Sequence, residues 1–96
     1  MGKPRPRPER LGAKLLQIRQ VFDLSQDRMR TRLGFGHIHP GRISEYETGK
    51  RDPPAMILLA YADLAGVHVE DLINDKVELP EKLPGNVRHG VLQGEN

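Results

Sequence analysis

Three features of the chain predict a small all-α protein. Apolar residues recur at three- and four-residue intervals, the period of a helix with one buried face. No apolar/polar alternation lasts long enough to compete as a strand. Gly and Pro fall where helices would stop and start, at Gly34, Gly49, Gly66, Pro40 and the pair Pro53-Pro54. The expected architecture is one compact five-helix domain over residues 9–79. A disordered basic arm over 1–8 would precede it, and a flexible tail over 80–96 would follow it.

In the arm, Pro4, Pro6 and Pro8 alternate with Lys3, Arg5 and Arg7, which blocks helix and leaves nothing to bury. The first helix is expected from Glu9 to Phe22, because Leu11, Leu15, Ile18 and Phe22 form one stripe; Lys14, Gln17 and Gln20 lie off it. Ser25 is a good N-cap for a second helix, with Met29 and Leu33 on its buried side and Gly34 as a left-handed stop. A third helix is expected to begin near Pro40 and close at Gly49, with Ile43, Tyr46 and Glu47 inward. Gly41, Arg42, Ser44 and Glu45 would lie on its exposed side. The fourth, from Pro54 to Ala65, is apolar on most sides and reads as the central core helix. A short fifth helix from Val69 to Asn74 would add Leu72 and Ile73 as a plug. The many Pro and Gly residues after Leu79 read as a mobile end.

Composition narrows the function. With 96 residues the chain makes one domain, too small for a two-lobed active site. It has no Cys, which removes disulfides and thiolate chemistry. The N-terminus carries no apolar signal segment, and the longest apolar run, Ala55 to Ala62, is too short for a bilayer, so a cytoplasmic protein without membrane contact is expected. Charge is unevenly spread: residues 1–51 carry 12 Lys and Arg against 5 Asp and Glu, whereas residues 52–96 carry 3 against 8. A basic half on so small a domain suits a polyanion.

The stretches "LGAKLLQIRQVFDLSQDRMRTRLG", "ISEYETGKRDPP" and "LLAYADLAGVHVEDLI" stand in the order and at the spacing of a known family. From Leu11 to Pro80 the chain resembles the phage-repressor-like helix-turn-helix family, also called the xenobiotic-response-element or Cro/repressor type. The resemblance implies a lambda-repressor-like domain that binds double-stranded DNA. Its second helix would cross the backbone and its third would enter the major groove. It implies a phosphate contact for Gln26, where helix-end N–H groups also favour an anion. It also implies a structural ion pair between Arg19 and Glu47.

Base reading would lean on Arg42 and Glu45, because Pro40 and Gly41 stand where the family has polar side chains. Arg can bind guanine O6 and N7, and Glu can accept from cytosine N4; alternatively Arg42 grips phosphate and Glu45 is solvated or orients an Arg. Lys50 and Arg51 would meet phosphates just after the third helix. Ser44 would lie beside them, and Gly41 and His39 at the entry of the helix. The turn from Phe35 to Arg42 is longer than is usual in the family, which brings His37 and His39 toward the backbone and shifts the helix start.

His37 and His39 lack a third ligand nearby, so no metal is expected, and no cofactor. No nucleophile–base–orienter set or phosphate-cradling Gly loop is visible, and the acids of "DLIND" read as solvent-facing, so catalysis is not expected. The leading reading is a sequence-specific transcriptional regulator acting as a homodimer, since one domain reads few base pairs. The competing reading is a protein-interaction module, such as the antitoxin half of a toxin–antitoxin pair, with a protein partner held through the C-terminal tail.

Overall fold

The computed structural model describes residues 8–85. These form five helices: α1 Leu11–Val21, α2 Gln26–Arg32, α3 Arg42–Thr48, α4 Ala55–Ala65 and α5 Val69–Ile73, with no strand among the described residues. The basic residues of the arm, Lys3, Arg5 and Arg7, lie outside the described residues, as does the end of the tail with Val87, Val91 and Leu92.

Local signals account for most helix ends. The Ser25 hydroxyl accepts from the Arg28 N–H at 3.1 Å and caps α2. Gly34 and Gly66 take left-handed conformations directly after α2 and α4. Asp23 turns the chain between α1 and α2 at φ 55°, a conformation that Asp tolerates better than most residues.

Leu11, Leu15 and Ile18 of α1 are buried, together with Met29 and Leu33, Ile43 and Tyr46, Ile57, Tyr61, Ala62 and Ala65, and Leu72. Phe22, the last residue of the expected stripe, is only partly buried and lies under the Arg32 guanidinium, 5.9 Å away. The centre of the domain is α1, which packs against α3, α4 and α5. The sequence pointed to α4 instead, but that helix turns Met56 and Leu59 outward, 66% and 45% exposed. Apolar composition on all sides does not say which side is covered.

Two further corrections concern the C-terminal half. Leu83 is fully buried and Leu79 nearly so, and Pro80 accepts a hydrogen bond from Gln17. The Gly85 backbone lies so close to Leu64 and Ala65 that a Cβ there would sit 2.1 Å from the Leu64 carbonyl oxygen. The folded unit therefore includes residues 80–85, which were expected to be tail, because two leucines spaced by four find a site on the core.

The acids of "DLIND" are not solvent-facing ornaments either. Asp75 accepts from the backbone N–H groups of Glu9 and Arg10, at 2.9 and 3.0 Å, and so caps α1 from across the chain. Asp71 accepts from the His68 N–H and caps α5. In return, Lys14 of α1 is buried and its ammonium donates to the carbonyls of Asp71 and Asn74, at 2.7 and 2.8 Å, closing the C-terminal end of α5. The entry of α1 and the exit of α5 thus satisfy each other's backbone groups. Desolvation, followed by the repulsion of Arg10, lowers the Lys14 pKa.

The cap makes acid stability a test. The two N–H groups hold the Asp75 carboxyl below the usual carboxylate range. A depressed folded value means that the stabilisation is present above the unfolded value of about 3.9 and is lost as pH falls through the folded one. Thermal melts of wild type and Asp75→Ala should differ near neutral pH and converge below about pH 4. A gap that persists undiminished in acid would show that the carboxylate charge is not what holds α1.

Candidate nucleic-acid interface

Helices α2 and α3 and the turn between them form the surface on which the expected site residues lie. Inward anchoring fixes α3: Ile43 and Tyr46 are buried, which turns Arg42, Ser44, Glu45 and Thr48 outward. From the inner edge Glu47 reaches back to α1. Arg19 donates to it twice, Nε to Oε2 at 2.6 Å and Nη2 to Oε1 at 3.1 Å. Arg19 Nη1 also donates to the Leu24 carbonyl at the entry of α2. The Glu47 side chain is 6% exposed and that of Arg19 is 19% exposed. The hydrogen bond to Glu47 raises the Arg19 pKa, against the opposing effect of desolvation.

Gln26 joins this network. Its Nε2 donates to Glu47 Oε1 at 3.1 Å, and an amide nitrogen carries a second hydrogen that can donate outward. One carboxylate therefore ties α1, the first residue of α2 and the end of α3 together.

The long turn is packed rather than loose. Phe35 and Ile38 are partly buried against the core, and His37 lies against the Phe35 ring at 5.8 Å. Arg30 pins the backbone, its Nη1 donating to the carbonyls of Gly36 and Ile38 while Nη2 pairs with Asp27 at 2.5 Å. This role was not legible beforehand, since Arg28, Arg30 and Arg32 look alike in sequence. The turn also delays α3, which begins at Arg42 rather than near Pro40. His39 is exposed, and its Nδ1 accepts from the Gly41 N–H at 3.0 Å, a local turn just before the helix. The Gly41 N–H is thereby occupied.

At the other end, Gly49 takes φ 82° and turns the chain back along α3. The Arg51 N–H then reaches the Glu45 carbonyl at 3.3 Å, and Arg51 Nε reaches Glu45 Oε1 at 3.0 Å. Arg42 Nη1 donates to the same oxygen at 2.9 Å. These three residues form one cluster on the outer face, the arrangement in which Glu45 orients an Arg, here two of them. The two hydrogen bonds, Arg42's first, lower the Glu45 pKa. Lys50 is exposed next to this cluster in sequence, and the Ser44 carbonyl accepts from Thr48 Oγ1 at 2.9 Å.

Among the described residues no group of three or more His, Cys, Asp or Glu is placed to hold a metal ion, and no helix is long and apolar enough to cross a membrane. The two helices with their fixed crossing and basic outer edge define a helix-turn-helix protein. The family model described as helix-turn-helix matches residues 15–72, more than half of the chain, and the chain belongs to that family of DNA-binding regulators, of the xenobiotic-response-element, Cro/repressor type. No curated protein and no solved structure matches the chain.

Proposed function

We propose that the protein is a sequence-specific transcriptional regulator that binds double-stranded DNA as a homodimer, with α3 in the major groove. The observation that carries this reading is the outward cluster of Arg42, Glu45 and Arg51, set on a helix whose angle is fixed by Arg19 and Glu47. Arg42 reads a base edge, and Arg51 and Lys50 meet phosphates beyond the end of α3. Gln26 donates its second amide hydrogen to a phosphate at the start of α2. His39, Gly41 and Ser44 line the same approach. Dimerisation supplies the second half-site, about one helical turn away, that a single domain cannot reach.

The test is selection of binding sites from a random duplex pool, followed by titration of the selected site and a scrambled duplex at two salt concentrations. Two related half-sites should emerge. Arg42→Ala should then cost about 1–3 kcal/mol at one base position and relax the preference there, while Gln26→Ala weakens all duplexes alike. Enrichment of nothing, with weak binding that vanishes steeply in salt, would reduce the DNA reading to non-specific polyanion affinity. A protein-interaction module such as an antitoxin would then be the better reading.

A further inference from the structure

An acid on a surface that meets a polyanion needs a reason. Glu45 lies at the centre of the outer face of α3, where its charge opposes phosphate approach. Stability supplies little of the reason, because ion pairs this open to water contribute little: the Arg42, Glu45 and Arg51 side chains are 32%, 34% and 49% exposed. Geometry does. A single oxygen, Oε1, accepts from Arg42 Nη1 at 2.9 Å and from Arg51 Nε at 3.0 Å. The Arg51 backbone is fastened to the same residue through the Glu45 carbonyl. Each arginine is thus held by one edge and keeps a pair of donors. Arg51, tied through Nε, keeps both terminal nitrogens as a fork. Arg42, tied through Nη1, keeps Nη2 and its remaining N–H groups.

We propose that Glu45 is a positioning residue for DNA reading: its carboxylate holds the Arg42 guanidinium toward the major-groove edge of a guanine and the Arg51 fork toward a neighbouring phosphate. The ligand is therefore a half-site with a G·C pair opposite Arg42, the guanine offering O6 and N7 as paired acceptors. Holding a long, rotamer-rich side chain in the free protein removes an ordering cost from binding. It also ties base reading to backbone contact, because both arginines turn on the same carboxylate. This inference rests on the DNA-binding function proposed above.

The experiment repeats the site selection with wild type, Arg42→Ala, Glu45→Ala and Glu45→Gln, and titrates each protein on the selected and the scrambled duplex. Glu45→Ala should lose the guanine preference at the same base pair as Arg42→Ala. Its affinity for the selected site should fall about tenfold, since a good bidentate contact gives that order of discrimination. Its affinity for the scrambled duplex should change far less, because the loss of an opposing negative charge offsets the looser hold on the Arg51 phosphate contact. The double variant Arg42→Ala/Glu45→Ala should lose less on the selected site than the two single losses added together, because the guanine contact is lost only once and only the hold on Arg51 remains to lose. Glu45→Gln keeps an oxygen without the charge and should fall between wild type and Glu45→Ala.

Three results would overturn the proposal while leaving the regulator reading intact. In the first, Glu45→Ala erases preference at a different base pair, which would make Glu45 a direct reader of cytosine. In the second, the wild-type motif survives in Glu45→Ala. In the third, Glu45→Ala weakens both duplexes in parallel, which marks a merely structural role. If wild type enriches no motif at all, the regulator reading fails, and this inference with it.

Discussion

Gly12→Ala is expected to lower the melting temperature by roughly 10 °C, although the same substitution usually stabilises a helix. Ala is favoured over Gly inside a helix by about 1 kcal/mol. Against that stands the approach of α1 to α3. A Cβ built on Gly12 lies 2.4 Å from the Glu47 carbonyl oxygen and 3.2 Å from that of Tyr46. Both atoms belong to the backbone, so no side-chain rotation relieves the contact, and α3 must move away as a body. Overpacking of this kind costs typically 1–3 kcal/mol and occasionally more. Because the helix itself is displaced, the net loss should lie near 2 kcal/mol even after the gain in propensity. At about 4–8 °C per kcal/mol for a domain of this size, that is the shift given above. The shifted helix is the one that carries Arg42 and Glu45, so binding to the selected duplex should weaken further than stability alone explains. Gly36→Ala is the control. Its Cβ would meet only the Thr31 methyl at 3.6 Å, an ordinary contact, and its melt should change little. Equal melting of Gly12→Ala and wild type would mean that the α1–α3 approach is softer than the geometry requires.

The residues that were legible in sequence are those whose reason is local. The stripe Leu11–Leu15–Ile18, the Ser25 cap, the stops at Gly34 and Gly66, and the inward pair Ile43 and Tyr46 each follow from spacing within one helix or one turn. What failed has partners far along the chain. Lys14 looked like a solvated residue because it lies off the apolar stripe; its acceptors are 57 and 60 residues away. Asp75 caps N–H groups 66 and 65 residues before it, and nothing near either end signals the pairing. Leu83 was lost among Pro and Gly, whose density outweighed one apolar side chain four residues past Leu79. The candidate site divides in the same way. Individual residues could be placed by resemblance, but the sharing of one Glu45 oxygen by Arg42 and Arg51 depends on the return of the chain after Gly49.

Glu47→Ala should be the most damaging single change on the proposed DNA-binding side of the domain, costing about 3 kcal/mol. Its carboxylate is nearly sealed from water and serves three donors: Arg19 Nε, Arg19 Nη2 and Gln26 Nε2. Removing it leaves the Arg19 guanidinium with the Leu24 carbonyl and a desolvated charge. Breaking a buried pair from one side costs about 3–5 kcal/mol, and the lower end applies because Arg19 keeps 19% of its side-chain surface in water. The negative charge also raises the pKa of the buried Tyr61 phenol, after desolvation, so the carboxylate acts across the core as well as along its edge. The double variant Arg19→Met/Glu47→Ala separates the two parts of the cost. With both charges gone, most of the lost stability should return, since a buried ion pair and an apolar replacement are often nearly equal in energy. DNA binding should not return with it. Gln26 would still lack the acceptor that orients its amide, and α3 would lack the tie that sets its angle to α1. Full recovery of both stability and duplex affinity in the double variant would show that Ile43 and Tyr46 alone fix the recognition helix, and that the ion pair is dispensable for reading DNA.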